Sequence, residues 1–540
     1  MILIAYLPAL YAGFVWDDSA ITESPLLQGP GGLRMIWSRP GADPAHEIHY
    51  WPLSYTVLWA ENALWGLKPF GYHLVNVLLH AANTVLLWLL LRRLKAPGAW
   101  LAAAIFALHP VHVQSVAWAI EIKDVLSALL YLLAFHAFLQ FQARPRPLTC
   151  AALVALFACA LLSKSVAVSL PLALGLCLWW KQGRLTVRDG LLLAPMLAMG
   201  AIIAGLDGRL ATHLENYSSE LNWAARLALA GRALWFYGGK LICPLDLMAI
   251  YPRWDVRASH WAAWAGAAAA GAALIGLWSV RRAWGRGPLA AVLFFALTLG
   301  PILGFVDFGY MTMSFVADRF QYLASIGIIA LLAAGVEWAA CRLSVPGRRR
   351  LRAVVLAWLA ILGILTWRQA TLFKDEETLF RENVARNPNA WGAMINLGRV
   401  LAERGSFYEA LDCYDQALAT NPNDARAYAN RGAALHCLGR VDEAIECYKE
   451  ALRLWPGVSN VRQNLGAAYL QKGQAQAAIQ CYAEAAQLQP NNALAHYSLG
   501  LALCQAGQTA KAAEEFRSAL RIQPNYAEAR ENLKALGAEP

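Results

Sequence analysis

Apolar runs alternate with short polar loops from residue 72 to residue 367. Ten runs stand out, at 72–91, 98–108, 123–141, 148–162, 165–180, 189–206, 260–280, 288–304, 321–341 and 352–367. A spanning helix needs about 20 largely apolar residues, so the runs predict membrane helices, several of them short. The opening segment, Ile2 to Val15, is shorter than a span and lacks a basic leader region and a cleavage site. It is expected to be the end of a span that begins upstream, not a removable signal. With it the expectation is about 11 spans, in a membrane domain over 1–369.

Beyond a connecting helix at 370–388 the pattern changes period. Gly398, Gly432, Gly466 and Gly500 stand 34 residues apart, and Ala410, Ala444, Ala478 and Ala512 follow at one offset. Tyr414, Tyr448, Tyr482 and Phe516 keep the same step, as do Pro422, Pro456, Pro490 and Pro524. Small residues let two helices approach, aromatics fill the contact and proline closes the pair: this is the tetratricopeptide pattern. Residues 389–540 are therefore a repeat array with a polar C-terminal capping helix, and the fold class is all-α, a polytopic membrane domain followed by an α-solenoid.

Composition agrees. Hydrophobic residues make up 58% and charged ones 15%, outside the range of ordinary soluble domains. A net charge of +10 raises nucleic acid as a partner, but the basic residues sit in short loops between apolar runs, with no basic patch interleaved with base-stacking aromatics. Every second loop is basic: Arg92 to Lys95, Arg144 to Arg146, Lys181 to Arg188, Arg281 to Arg286 and Arg342 to Arg352. The positive-inside rule makes those loops cytoplasmic and the others outward. Eleven spans then leave the repeat array outside, on the periplasmic side of an inner membrane if the source is bacterial. The stretch Leu221 to Leu241 is expected to lie along the outer interface with Trp223 and Trp235 near headgroup level. Ten Cys form no CxxC pair, which excludes zinc and thioredoxin-type readings.

Candidate chemistry begins at Phe14-Val15-Trp16-Asp17-Asp18. Paired carboxylates at a membrane edge are costly and mark a functional site by default. His109, His112, Glu121, Lys123 and Asp124 form the densest ionisable cluster of the membrane half, and Lys164 sits in a short turn between two apolar runs. Asp318 and Arg319 lie at the outward mouth of another run.

Taken in order, six strings resemble the transmembrane and tetratricopeptide repeat-containing O-mannosyltransferases and their bacterial relatives, within the GT-C glycosyltransferase class. They are Phe14 to Asp18, Pro69-Phe70-Gly71-Tyr72-His73-Leu74-Val75-Asn76, Leu108-His109-Pro110-Val111-His112, Lys123-Asp124-Val125-Leu126, Leu162-Ser163-Lys164 and Ala317-Asp318-Arg319-Phe320-Gln321-Tyr322. Trp51 before Pro52 departs from an Arg frequent in the family, which removes a phosphate contact, and Ala324 replaces a usual Pro. The resemblance implies transfer of a sugar from a polyprenyl-phosphate donor to Ser or Thr of an exported protein. Asp17 or Asp18 would then be the base, the other orienting it or holding a divalent cation, Mg or Mn. Lys164, Arg319, His109 and His112 would meet the donor phosphate, with Asp318, Lys123, Asp124 and Tyr322 supporting them. Asn396, Asn430 and Asn464, two residues before successive repeat glycines, would grip an acceptor backbone, similar to the asparagine ladder of O-GlcNAc transferases. Two rival readings stay open: a membrane-anchored scaffold without catalysis, and a GT-C enzyme acting on a lipid or glycan.

Overall fold

The computed structural model describes residues 1–43, 49–215, 221–256 and 260–539. It is all-helical, with no strand among those residues, and it divides into Met1–Arg386 and Asn387–Pro540.

The first unit is a bundle of apolar helices, and the chain is a multi-pass membrane protein. Among the described residues, six of its helices are long and apolar enough to cross a bilayer: Pro69–Arg93, Ala119–Ala143, Val187–Leu210, Ala262–Val280, Ser325–Arg342 and Val345–Thr371. A bent pair, Ala99–Leu108 with Pro110–Ala117, makes a seventh if counted as one span, and Pro147–Ser163 and Gly287–Ile302 are shorter apolar helices. The expected eleven include runs that do not form one long straight helix. The run at 98–108 is half of a pair bent by 53°, because Pro110 has no N–H to continue the helix. The run at 165–180 opens with a 3-10 turn, Ser165–Ser169, before a helix of 13 residues. The opening segment is two four-residue helices, Ile2–Ala5 and Leu7–Leu10. The amphipathic stretch does form one helix, Trp223–Ile242, with Trp223 and Trp235 exposed.

Proline at the first turn starts the Pro52–Trp65, Pro69–Arg93 and Pro147–Ser163 helices, where a missing N–H costs nothing. Their breaks matter more than their starts. The chain leaves helical geometry at Trp118, and the side chain of Asn76 donates to the carbonyls of both Trp118 and Ala119, at 3.1 and 3.2 Å. His73 contacts the Gly13 carbonyl at 3.3 Å. The string Pro69 to Asn76 thus ties together two irregular segments that carry polar side chains.

The second unit consists of helix pairs. A Cβ added at Gly398, Gly432, Gly466 or Gly500 would fall within 3 Å of Tyr414, Tyr448, Tyr482 or Phe516 respectively. That contact is the physical basis of the period. A second glycine series, Gly405, Gly439, Gly473 and Gly507, takes positive φ of 82, 75, 71 and 73° in the turn between paired helices, a backbone that only glycine adopts without strain. Asn396, Asn430 and Asn464 stand two residues before the packing glycines, roughly 200° around the helix, and so face away from the paired helix.

Candidate active site

Val15 is extended, Trp16 takes φ 51°, and a 3-10 turn carries Trp16–Asp18. A positive φ on a bulky residue is strained and persists only where surroundings impose it. Here the Trp16 N–H donates to Glu376 Oε1 at 2.8 Å, and its ring stacks on Trp118 at 5.0 Å and 18°. The Trp118 indole N–H in turn donates to the Val15 carbonyl at 3.0 Å.

This turn separates the two acids. Asp18 is fully buried, and its carboxylate accepts from the Val15 N–H at 2.9 Å and the Ile120 N–H at 2.7 Å. It fastens the first segment to the Ala119–Glu121 turn and has no oxygen to spare. Burial pushes its carboxyl up to about 8, against the pull of those two donors. Asp17 is exposed, yet protein surrounds it on enough sides that desolvation pushes its carboxyl up while Lys123 and Arg319 draw it down. The carboxylate is thus accessible and close to both cations.

Three cations converge beside it on one buried acid. Glu121 lies 3.4 Å from Lys123, 3.5 Å from Lys164 and 3.3 Å from Arg319. Lys164 also pairs with Asp124, which accepts from Ser115 at 2.9 Å. Arg319 is stacked against Trp118, Tyr310 and Phe320, at 5.1, 4.5 and 5.0 Å from the ring centres. Its Nη1 is buried without a hydrogen-bond partner. A guanidinium held by aromatic faces and one carboxylate, with a nitrogen unspent, is suited to an oxyanion.

Asp318 points away from this cluster. Tyr251 donates to its carboxylate at 2.9 Å, and burial pushes the carboxyl up to about 7 although Tyr251 and Lys240 pull it down. No Asp318–Arg319 ion pair forms; the 3-10 turn Asp318–Gln321 sends the two side chains to different partners. Trp51, at the position of a family Arg, carries Lys123 and Lys164 over its ring at 5.4 and 5.9 Å and donates to Ser165 at 2.8 Å. The indole replaces a missing cation by holding two others. His49 stacks on Trp51 at 4.3 Å and meets Asp207 at 3.1 Å.

His109 and His112 do not reach the cluster's ligand side. Both are fully buried. His109 Nε2 meets the Leu241 carbonyl at 3.1 Å, and its Nδ1 accepts from Val111. His112 sits between the Phe106 carbonyl at 2.8 Å and the Ser325 hydroxyl at 2.9 Å. With every ring nitrogen committed, they brace the bent pair, a correction to their expected place on the donor phosphate. Tyr322 is likewise internal, its hydroxyl shared by His80 at 2.8 Å and Asn83 at 3.1 Å.

The helix Glu376–Arg386 belongs to the site's frame, a role its position after the last apolar run did not announce. Glu376 holds Trp16; Asn383 exchanges two bonds with Ile250, at 2.7 and 3.1 Å. Residue 251 is the tyrosine that holds Asp318. One helix thereby pins both walls. The cation expectation does not fit these residues: Asp18 is spent on backbone donors, and among the described residues no group of three or more His, Cys, Asp or Glu could hold a metal.

Comparison with known proteins agrees with the resemblance. Residues 49–205 match the family model described as dolichyl-phosphate-mannose-protein mannosyltransferase. Residues 395–459, 466–507 and 493–526 match tetratricopeptide repeat models. The protein O-mannosyl-transferase Tmtc1 of Drosophila melanogaster is 33% identical over 182 residues, 32% of this chain and 21% of that protein. A Caenorhabditis elegans protein O-mannosyl-transferase is 24% identical over 454 residues, 77% of this chain and 61% of that one. The chain thus spans less than two thirds of the length of these relatives. Among solved structures, the crystal structure of MamA aligns over 28% of this chain and 89% of its own, at 22% identity and TM-score 0.27. The mannosyltransferase match takes in Trp51, Glu121, Lys123, Asp124 and Lys164, while Asp17 and Arg319 lie outside it.

Proposed function

We propose that this chain is a membrane glycosyltransferase of the GT-C type that moves a sugar, mannose first among the choices, from a polyprenyl-phosphate donor to a Ser or Thr hydroxyl of an exported protein. Asp17 is the base. It accepts the proton of the attacking hydroxyl as the new C1–O bond forms. The old bond from C1 to phosphate oxygen breaks, and the electron pair leaves with the polyprenyl phosphate. Arg319 through Nη1, with Lys123, meets the charge gathering on that phosphate. Lys164 and Asp124 hold the cluster in register, and Asp18 holds the turn that presents Asp17. On this reading Asp17 faces outward, and Asn396, Asn430 and Asn464 grip the acceptor's backbone amides.

The observation that carries the reading is the pairing of an exposed, protein-enclosed Asp17 with an Arg319 whose guanidinium nitrogen lacks a partner. The names of the curated relatives support the reaction class, and the charge arrangement and the membrane setting support a lipid-phosphate carrier. The test is transfer of radiolabelled mannose from polyprenyl-phosphate mannose to a Ser/Thr-rich acceptor in reconstituted vesicles. Asp17→Asn is expected to lower transfer by about 10²–10⁴. Full activity in that variant would sink the assignment.

A further inference from the structure

A second polar cavity lies apart from the candidate active site and shares no residue with it. It is open to the surface and offers about 560 Å³ between the end of the Leu170–Gln182 helix and the turn after Ala265–Val280. Its lining holds three arginines, Arg281, Arg282 and Arg286, and three tryptophans, Trp179, Trp180 and Trp278. Trp179 and Trp278 lie parallel at 6.1 Å and 4°, joining the two helix ends. Arg281 covers the Trp278 ring at 3.9 Å, and Arg286 reaches Trp179 at 5.8 Å. Arg286 can fold inward because residue 183 is glycine at φ 81°; a Cβ there would lie 2.1 Å from its guanidinium. Among the described residues no carboxylate pairs with any of the three arginines.

We propose that this cavity binds the phosphate of an anionic membrane lipid. The guanidinium groups are oriented by ring faces and backbone carbonyls, which leaves their forks for phosphate oxygens. The tryptophans end two apolar helices, the depth at which indoles mark the headgroup level. The Ala265–Val280 helix has no buried side chain, so acyl chains can run along it below the cavity. Phosphate dissolved in the aqueous phase offers the same oxygens without the chains.

The test is native mass spectrometry of delipidated full-length protein given phosphatidylglycerol or phosphatidylcholine, with inorganic phosphate in a separate arm. Wild type is expected to retain phosphatidylglycerol over phosphatidylcholine. Arg281→Gln with Arg286→Gln should weaken that retention roughly thirtyfold, from two basic side chains at an anionic surface. Arg281→Lys with Arg286→Lys should restore part of it, and it carries the test if the Gln pair fails to fold. Arg349→Gln with Arg350→Gln, exposed near the start of the Val345–Thr371 helix, should leave it unchanged. Equal retention of both lipids, equal loss in the control pair, or no loss in the Gln pair would overturn the proposal. Displacement of the lipid by millimolar inorganic phosphate would overturn the lipid as the ligand and assign the cavity to soluble phosphate.

Discussion

Asp17 and Asp18 are chemically identical and one residue apart, and the backbone alone gives them different work. Extended geometry at Val15 followed by a positive φ at Trp16 turns Asp18 onto two N–H groups and leaves Asp17 exposed. Asp18→Ala should strand both donors in the interior and destabilise the first unit by roughly 2–5 kcal/mol, whereas Asp17→Asn should shift stability by less than about 0.5 kcal/mol. Urea unfolding in mild detergent separates the two. Adjacency in the sequence announced that the acids differ in direction, but which one is spent depends on Ile120, about a hundred residues away, and no local pattern encodes that. The same holds for His109 and His112, whose partners Leu241 and Ser325 come from other helices.

Asp318 gives a pH signature at this scale. Its carboxyl stays protonated in the fold until about pH 7, while an unfolded aspartate ionises near pH ~3.9. Between those values the unfolded state holds fewer protons, so stability falls as pH rises from 4 to 7 and levels off above. The slope from this one group is up to about 1.4 kcal/mol per pH unit. Asp318→Asn should remove that part of the slope, read as the difference between wild-type and variant unfolding curves across pH 4 to 8. Parallel curves would mean that Asp318 is ionised throughout.

Among the elements, the Glu376–Arg386 helix holds the segments that carry the candidate site's residues. Its Asn383 closes a two-bond clasp on Ile250, next to the tyrosine that holds Asp318, and its Glu376 fixes the strained Trp16. Asn383→Ala should cost about 2–3 kcal/mol through two lost buried bonds. It should also lower kcat by about tenfold as the Asp318–Arg319 turn loosens. Arg381→Ala, on the exposed face where its pair with Glu377 is an ordinary i, i+4 bridge, should change stability by less than about 0.5 kcal/mol. Hydrogen exchange over 247–251 distinguishes loosening of the turn from general instability. Hydropathy could not show this helix's role, because its anchors are single polar residues spaced seven apart and carry no periodic signal. An apolar run reports burial as well as lipid contact: Leu101 to Leu108 are buried throughout.

At the scale of the whole chain, the two units differ in how openly their sequences declare them. The repeats are legible to the residue, because each glycine exists to seat one aromatic ring and the demand recurs every 34 positions. The membrane unit is legible only in outline, since its candidate site is assembled from separated segments whose spacing obeys no period. Its main hydrophobic cluster runs from Ala5 to Leu379. Residues 1–386 should therefore fold and insert alone, and their unfolding midpoint should match that of the full chain's membrane unit. If the repeat asparagines hold the protein acceptor, this truncated chain keeps donor turnover onto a short Ser/Thr peptide at high concentration. Its KM for a long unfolded acceptor, though, should rise by about 10²-fold, the gain that linked binding sites commonly supply. An enzyme directed at a glycan or lipid would show the same KM with and without the array. A scaffold would show no turnover in either form, so one pair of rate measurements separates the three readings.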